Sequence, residues 1–331
     1  MCTAMMQQTP HGETFFGRTM DFSYELEPEF FFFPKGCRWE NIARTHRIHT
    51  QYSFMGIGQD IDPVILADGV NEAGFAAAAL YFPGYAQYDE IAADPKAPPI
   101  AALELIKLLL SICSCVKQVA AVVRSIRIVG VKDPVTNSVA PLHWITADKS
   151  GACLVIERTS DGLHLVDNPI GVLANSPDLR WHLANLRNYA NVSPNQQPQS
   201  AWGPLELTPF GQGAGTWSLP GDYTPPSRFV RTAYLKSHTQ FSDSRDEAAL
   251  ACFHILESVS IPRGVVMTAQ GTSDYTQYTV LTDLAGGEYF FKAYNGSEIV
   301  SVPMPHCGGS DVLSLGKPTG PLAFRRLRQE C

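Results

Sequence analysis

Short apolar stretches bounded by turn residues dominate both ends of the chain, and longer stretches with apolar residues at helical spacing occupy its middle. Cys2–Gln7 and Thr14–Met20 are predicted as strands of a hairpin whose turn carries Pro10, His11 and Gly12. Tyr52–Gly58, Pro63–Ala67 and Phe75–Tyr81 read as further strands. The Phe30–Phe33 run before Pro34 reads as a buried strand rather than a membrane-touching patch. Ile100–Ile112 and Cys115–Ile126 read as helices. Leu142–Ala147 and Cys153–Arg158 read as strands joined at the turn Asp148-Lys149-Ser150-Gly151. Asp178–Tyr189 reads as a helix with Ser176-Pro177 as N-cap and first-turn proline. Ser227–Lys236 and Asp246–Val259 also fit helices. Tyr275–Leu284, Glu288–Tyr294 and Glu298–Val302 read as closing strands, with Gly286-Gly287 at one turn. Strands at both ends with helices between them predict an α+β fold of stacked sheets covered by helices, in a single domain over residues 1–331. The Pro-, Gly-, Gln- and Ser-rich segment Asn191–Pro226 is expected to be a long ordered loop near a site, since organised sequence resumes after it without a change in composition.

Composition narrows the field. The chain has 331 residues, 45% hydrophobic and 17% charged, which excludes a disordered polymer. Its net charge of -7 argues against a dedicated nucleic-acid binder. No basic and apolar leader and no membrane-length apolar run is visible, so a soluble, cytoplasmic protein is expected. The eight cysteines are too sparse for a disulfide scaffold, and the lack of a CxxC pair argues against a zinc ribbon. Cys113 and Cys115, on an apolar helical stretch, read as packing thiols. His46 and His49 lack a third ligand nearby and read as surface histidines. Gly211-x-Gly213-x-Gly215 lacks the lysine of a phosphate loop and reads as a flexible turn.

Candidate chemistry centres on Cys2. Methionine is generally removed before a small second residue, and the chain would then begin with a thiol and a free α-amine on one residue. The unperturbed values, about 8.5 for the thiol and about 7.7–8.0 for the amine, let the amine take the thiol proton. Arg18 and Met20 share one face of the partner strand, and Asp21 falls at its end. An arginine beside a thiol favours the thiolate, and a carboxylate near the α-amine can orient it. Taken alone, Arg18 and Asp21 are better read as an ordinary surface ion pair.

The wider pattern decides. Met1-Cys2-Thr3 with Gly17-Arg18-Thr19-Met20-Asp21-Phe22 resembles the start of the choloylglycine hydrolase family, which contains conjugated bile salt hydrolases and penicillin V acylases. The resemblance continues at Asn71-Glu72-Ala73-Gly74, Ala79 to Ala86 and Leu173-Ala174-Asn175-Ser176-Pro177. It is fullest at Phe210-Gly211-Gln212-Gly213 and from Leu219 to Phe229. These blocks span nearly the whole chain in the family's order. The resemblance implies an N-terminal nucleophile hydrolase fold, a four-layer αββα sandwich of two antiparallel sheets. It implies cleavage of linear, non-peptide amide C–N bonds without cofactor or metal, and a homotetramer. Carried onto this sequence, Cys2 would attack the amide carbonyl, Arg18 and Asp21 would hold the nucleophile, and Arg228 would complete the polar cluster. The side chain of Asn175 and the backbone N–H of Tyr81 would receive the oxyanion, a donor of this kind being worth roughly 10²–10³ in rate. Ala174, where the family often has Thr, puts one supporting hydrogen bond in doubt. The site is expected to be locally cationic through its two arginines.

Position 81 bears on the substrate. Bile-salt members of the family usually carry Asn there and penicillin V acylases Tyr, so Leu80-Tyr81-Phe82 resembles the acylases. An aromatic ring could stack on a phenoxy group for about 0.5–1.5 kcal/mol beyond area burial. Met20 and Tyr24 are candidate pocket residues, although core packing explains them equally well. The expected partner is a small N-acyl amide: penicillin V, or alternatively a conjugated bile salt or an acyl-homoserine lactone. Rivals of other kinds are a catalytically silent ligand-binding protein and a papain-type Cys–His enzyme.

Overall fold

The computed structural model describes residues 1–90, 97–133, 136–318 and 322–323 of the chain. A hairpin lies at its centre. Cys2–Gln8 pairs antiparallel with Thr14–Phe22, from Cys2 opposite Met20 to Gln8 opposite Thr14. A six-stranded sheet is built on this hairpin in the order Val172–Leu173, Cys2–Gln8, Thr14–Phe22, Tyr275–Asp283, Glu288–Ala293, Val300–Pro303. A second, eight-stranded sheet runs Gly162–Asp167, Cys153–Thr159, Leu142–Asp148, Phe75–Tyr81, Val64–Asn71, Phe54–Asp60, Glu29–Phe33, Leu313–Gly316. Both sheets are antiparallel throughout.

The sheets face each other across one buried apolar layer that includes Ala4 and Val280 from the first and Met55, Val70 and Ile145 from the second. Helices Pro225–His238 and Arg245–Glu257 cover the outside of the first sheet. Helices Leu105–Ile112 and Val116–Arg124 cover the outside of the second, over Phe33, Phe54, Phe75 and Trp144. The layers are therefore α, β, β, α, as the resemblance implied. The run Phe30–Phe33 shows why that strand has no polar face. Phe30 and Phe32 point into the layer between the sheets, while Phe31 and Phe33 point into the layer beneath the helices.

Several boundaries differ from the sequence reading. The predicted helix Ile100–Ile112 begins only at Leu105, because Pro99–Ala101 pairs in parallel with Arg127–Val129 and a 3₁₀ turn Ala102–Glu104 intervenes. The predicted helix Asp178–Tyr189 is α over Leu179–Asn185 and continues as a 3₁₀ helix over Leu186–Tyr189. Its cap is Asp178, which accepts from Trp181 N at 3.0 Å, and not Ser176, whose hydroxyl donates to Pro83 O at 2.7 Å. Gly162–Asp167 and Leu313–Gly316 were not anticipated as strands. Cys113 is buried and Cys115 half-buried, both in the break between two helices rather than on one continuous helix. Burial pushes the Cys113 thiol up to about 12. His46 and His49 are exposed. Among the described residues no group of three His, Cys, Asp or Glu side chains could hold a metal, and no helix is long and apolar enough to cross a membrane.

Gly17 is one place where backbone closeness fixes the residue type. It lies mid-strand between Met5 and Leu281. A Cβ there would stand 2.7 Å from Val280 O and 2.8 Å from Leu281 Cδ1. Gly17→Ala is predicted to lose about 1–3 kcal/mol of stability, as overpacking does. The urea midpoint at constant slope measures it, and an unchanged midpoint would show that the sheet yields freely here.

Candidate active site

The Cys2 thiol lies where the two sheets approach each other, at one wall of a cavity of about 720 Å³. Cys2 is buried, and Arg18 Nη2 donates to its Sγ at 2.6 Å. Arg18 is held by carbonyls of both sheets: Nε donates to Thr19 O at 3.2 Å, and Nη1 to Ala67 O at 3.1 Å and Ala79 O at 2.9 Å. Asp68 adds a charge, its Oδ2 3.9 Å from Nη1. Burial weakens the Arg18 charge, but the surrounding Cys2, Tyr278, Asp68 and Asp21 outweigh it and the guanidinium titrates above its ordinary value.

A second guanidinium approaches from the helical layer. Arg228 Nη1 donates to Cys2 O at 2.7 Å and also contacts Thr3 Oγ1, while Nη2 donates to Asn175 Oδ1 at 2.7 Å. Its Nε is held by Tyr223 O at 3.0 Å, and Asp21 Oδ2 lies 3.6 Å from Nη1. Burial lowers Arg228 and raises Asp21, each partly offset by the other's charge. Thr276 donates to Asp21 Oδ1 at 2.6 Å, whereas Oδ2 has no hydrogen-bond partner.

Asn175 joins the parts. Its Oδ1 accepts from Cys2 N at 2.8 Å as well as from Arg228. Its Nδ2 donates to Tyr81 O at 2.7 Å. An amide nitrogen carries two hydrogens, so a second Nδ2–H is left over. Met1 precedes Cys2 at the cavity wall, where its ammonium donates to Asp21 O at 2.7 Å and Asp274 Oδ2 at 3.3 Å.

Cys2, Arg18, Asp21, Asn175 and Arg228 thus form one buried cluster, as their sequence blocks suggested. Met20, Tyr24 and Tyr81 all line the cavity, whose wall is otherwise largely apolar, with Phe22, Leu26 and Ile65 among its residues. The Tyr81 residue is 37% exposed, so its side chain is not simply packed away. Two expectations need correction. No residue of 191–226 lines the cavity. That segment carries an exposed hairpin, Ser200–Trp202 with Leu205–Leu207, and only its end reaches the cluster, through Tyr223 O. The site is also not cationic in sum, since Arg18 pairs with Asp68, Arg228 with Asp21 and the Met1 ammonium with Asp274.

Sequence reasoning missed Asp68, Tyr278, Tyr289, His143 and His182. Tyr289 donates to Asp68 Oδ1 at 3.1 Å. Burial raises the Asp68 carboxyl to about 6 and lowers the His182 imidazole to about 4. Each looks like an ordinary core or surface residue in the sequence, and only the partnering strand or helix reveals it.

A sequence model of the linear amide C–N hydrolases, choloylglycine hydrolase family, matches residues 2–308. The bile salt hydrolase/transferase of Clostridium perfringens is 35% identical over 307 residues, 92% of this chain and 92% of that protein. The bile salt hydrolase/transferase of Lactiplantibacillus plantarum is 33% identical over 309 residues, 92% of this chain and 93% of that protein. A solved variant of the conjugated bile acid hydrolase from Clostridium perfringens superposes with a TM-score of 0.91 at 32% identity, covering 99% of this chain and 100% of that one. The penicillin V acylase from Agrobacterium tumefaciens superposes with a TM-score of 0.76 at 20% identity, covering 98% and 100%, a likeness of fold alone.

The two shifted buried groups oppose each other in acid. Asp68 binds its proton in the folded chain below about 6 but in the unfolded chain only below 3.8, so it makes stability fall as pH rises through that interval. His182 is protonated below 6.5 when unfolded and only below about 4 when folded, so it makes stability fall as pH drops through that interval. Between about pH 4 and 6 the two slopes nearly cancel. Asp68→Asn is predicted to make stability drop more steeply on acidification, by about 1.4 kcal/mol per pH unit, and His182→Gln to change the slope by the same amount with opposite sign. Urea unfolding at pH 4.5, 5.0 and 5.5 measures this; equal slopes in all three proteins would refute it.

Proposed function

The chain belongs to the choloylglycine hydrolase family of linear amide C–N hydrolases, and from that premise we propose that it hydrolyses small N-acyl amides with Cys2 as nucleophile and with Met1 removed. The observation that carries this reading is the 2.6 Å contact from Arg18 to Cys2 Sγ beside a cavity of about 720 Å³ with an apolar wall. Loss of Met1 turns the Cys2 amide nitrogen, held by Asn175 Oδ1, into an α-amine. Asp21 Oδ2, ion-paired with Arg228 but without a hydrogen bond, is the acceptor available to orient it.

The amine takes the thiol proton and the sulfur attacks the amide carbonyl carbon. The oxyanion that forms is received by the second Nδ2–H of Asn175 and the backbone N–H of Tyr81. Collapse breaks the C–N bond, and the α-ammonium returns its proton to the departing amine. Water then attacks the thioester with the α-amine again as base, releasing the acid and restoring the thiol. Asp21 and Arg228 hold the nucleophile's backbone, and no step calls for a cofactor or metal.

Cys2→Ala is predicted to lower turnover at least about 10³-fold, as loss of a nucleophile does. Mass spectrometry of active material should show a chain that starts at Cys2. Full activity in the alanine variant, or in protein that keeps Met1, would sink the mechanism.

For the acyl group, the Tyr81 ring at the cavity wall favours an aryl-acyl amide of the penicillin V type. A conjugated bile salt is the second reading, favoured by the relatives at 33–35% identity, which carry bile salt hydrolase in their names. Tyr81→Asn is predicted to lower the ratio of kcat/KM for penicillin V over glyco- and tauro-conjugated bile salts about 2- to 10-fold, the loss of one ring contact. Parallel assays of both proteins measure the ratio, and an unchanged value would take substrate choice away from Tyr81.

A further inference from the structure

The strand that delivers Asn175 ends early. Val172–Leu173 pairs with Met5 and Ala4, and the chain then leaves the sheet at Ala174. Ala174 and Asn175 are nevertheless buried, so their backbone carbonyls cannot rely on water. Two imidazoles serve them instead. His143 Nε2 lies 2.9 Å from Ala174 O, and His182 Nε2 lies 2.9 Å from Asn175 O. A carbonyl only accepts, so each ring must donate through Nε2–H. The rings come from different layers: His143 from strand Leu142–Asp148 of the second sheet, His182 from helix Leu179–Asn185.

Both rings are themselves fixed. His143 stacks on Phe82 with centroids 4.2 Å apart and planes 8° from parallel, directly after Tyr81 in the chain. Its Nδ1 faces Glu157 Oε1 at 3.4 Å, and the same Oε1 accepts from Leu179 N at 2.9 Å at the start of the His182 helix. His182 stacks on Phe229, the neighbour of Arg228, with centroids 4.6 Å apart. Burial keeps the His182 ring uncharged in the neutral range, with one N–H to give.

We propose that His143 and His182 are a pair of positioning residues that clamp successive carbonyls at Ala174 and Asn175 and so aim the Asn175 side chain at the oxyanion. The clamp stands in for the ladder hydrogen bonds this short edge strand lacks, and for any support a threonine at position 174 would give. Through Phe82, His143 also braces the segment that carries Tyr81. The proposal rests on the oxyanion role given to Asn175 above.

The test is a double-mutant cycle read as kcat and KM separately. Asn175→Ala comes first; if it leaves kcat unchanged, the reading of Asn175 fails and the clamp falls with it. With that loss established, His182→Phe and His143→Phe keep the stacked ring but remove the N–H. Each is expected to lower kcat about 10- to 100-fold, the scale of a misplaced catalytic group, with KM within about twofold. In the Asn175→Ala background the same substitutions should change kcat less than about twofold, and His182→Gln, which keeps a donor near Nε2, should recover most of the loss. Equal losses in both backgrounds would overturn the clamp and leave the histidines as packing groups. A second measurement needs no variant: ¹⁵N-histidine spectra of the native protein should show Nε2–H for His182, and an Nδ1–H tautomer would overturn the proposal.

Discussion

Everything around the cavity answers to one constraint: two guanidinium groups lie wholly out of water, at Arg18 and Arg228. Removing such an ion from water costs several kcal/mol unless hydrogen bonds and opposite charge take the place of solvent. The fold meets that demand with backbone carbonyls. Arg18 starts in the first sheet and spends its Nη1 on Ala67 O and Ala79 O in the second. Arg228 starts in the outer helix and reaches Cys2 O and Asn175 Oδ1. The two side chains therefore pin three of the four layers together at Cys2. The sheets cannot shift without stranding a buried charge, and this holds the sulfur, the Asn175 amide and the cavity wall in a common frame.

The same constraint explains what could be read from the sequence. The hairpin was legible because its two strands are close in sequence and their apolar stretches end at a turn of Pro10, His11 and Gly12. Arg18, Asp21, Asn175 and Arg228 were legible because each sits inside a contiguous block that a family resemblance can carry. Their supports were not. Asp68 lies 50 residues from Arg18, Tyr289 lies 221 from Asp68, and His143 lies 31 from Ala174. A lone carboxylate carries no sign that its partners are a guanidinium and a phenol from another sheet, nor a lone imidazole that its partner is a distant carbonyl. The same holds for Asn191–Pro226: composition identified a loop, but whether it faced the cavity or solvent depended on tertiary placement.

The edge strand shows how local economy creates a demand elsewhere. Val172–Leu173 is too short to keep the 174–175 backbone in a ladder, yet that backbone must present a side chain at a fixed point. Ending the strand frees the chain to turn into the Asp178-capped helix, and leaves two buried carbonyls that other elements must satisfy. Stacked imidazoles suit this task, since a ring already held against another ring loses little freedom when it donates one hydrogen bond.

The charge cluster and the cavity wall are separable, and this bears on how substrate choice arises. Net charge at the cluster is formally not positive, because Asp21, Asp68 and Asp274 balance the two arginines and the N-terminal ammonium. The guanidinium groups are also buried and already bonded, so they are poor candidates for gripping an anionic group on a leaving amine. Binding energy must then come mainly from apolar contact, at about 25 cal/mol per Å² removed from water. That surface belongs to side chains such as those of Tyr24, Leu26 and Tyr81, which line the cavity but make no ion pair with the buried charges, whereas Met20 is tied to the cluster because its Sδ accepts from Arg18 Nη2 at 3.5 Å. A change of side chain on the wall alters which acyl group fits while the cluster beneath keeps its bonds. On the proposed reading, the chemistry is fixed by burial of the arginines and the substrate by a surface that burial leaves free to vary.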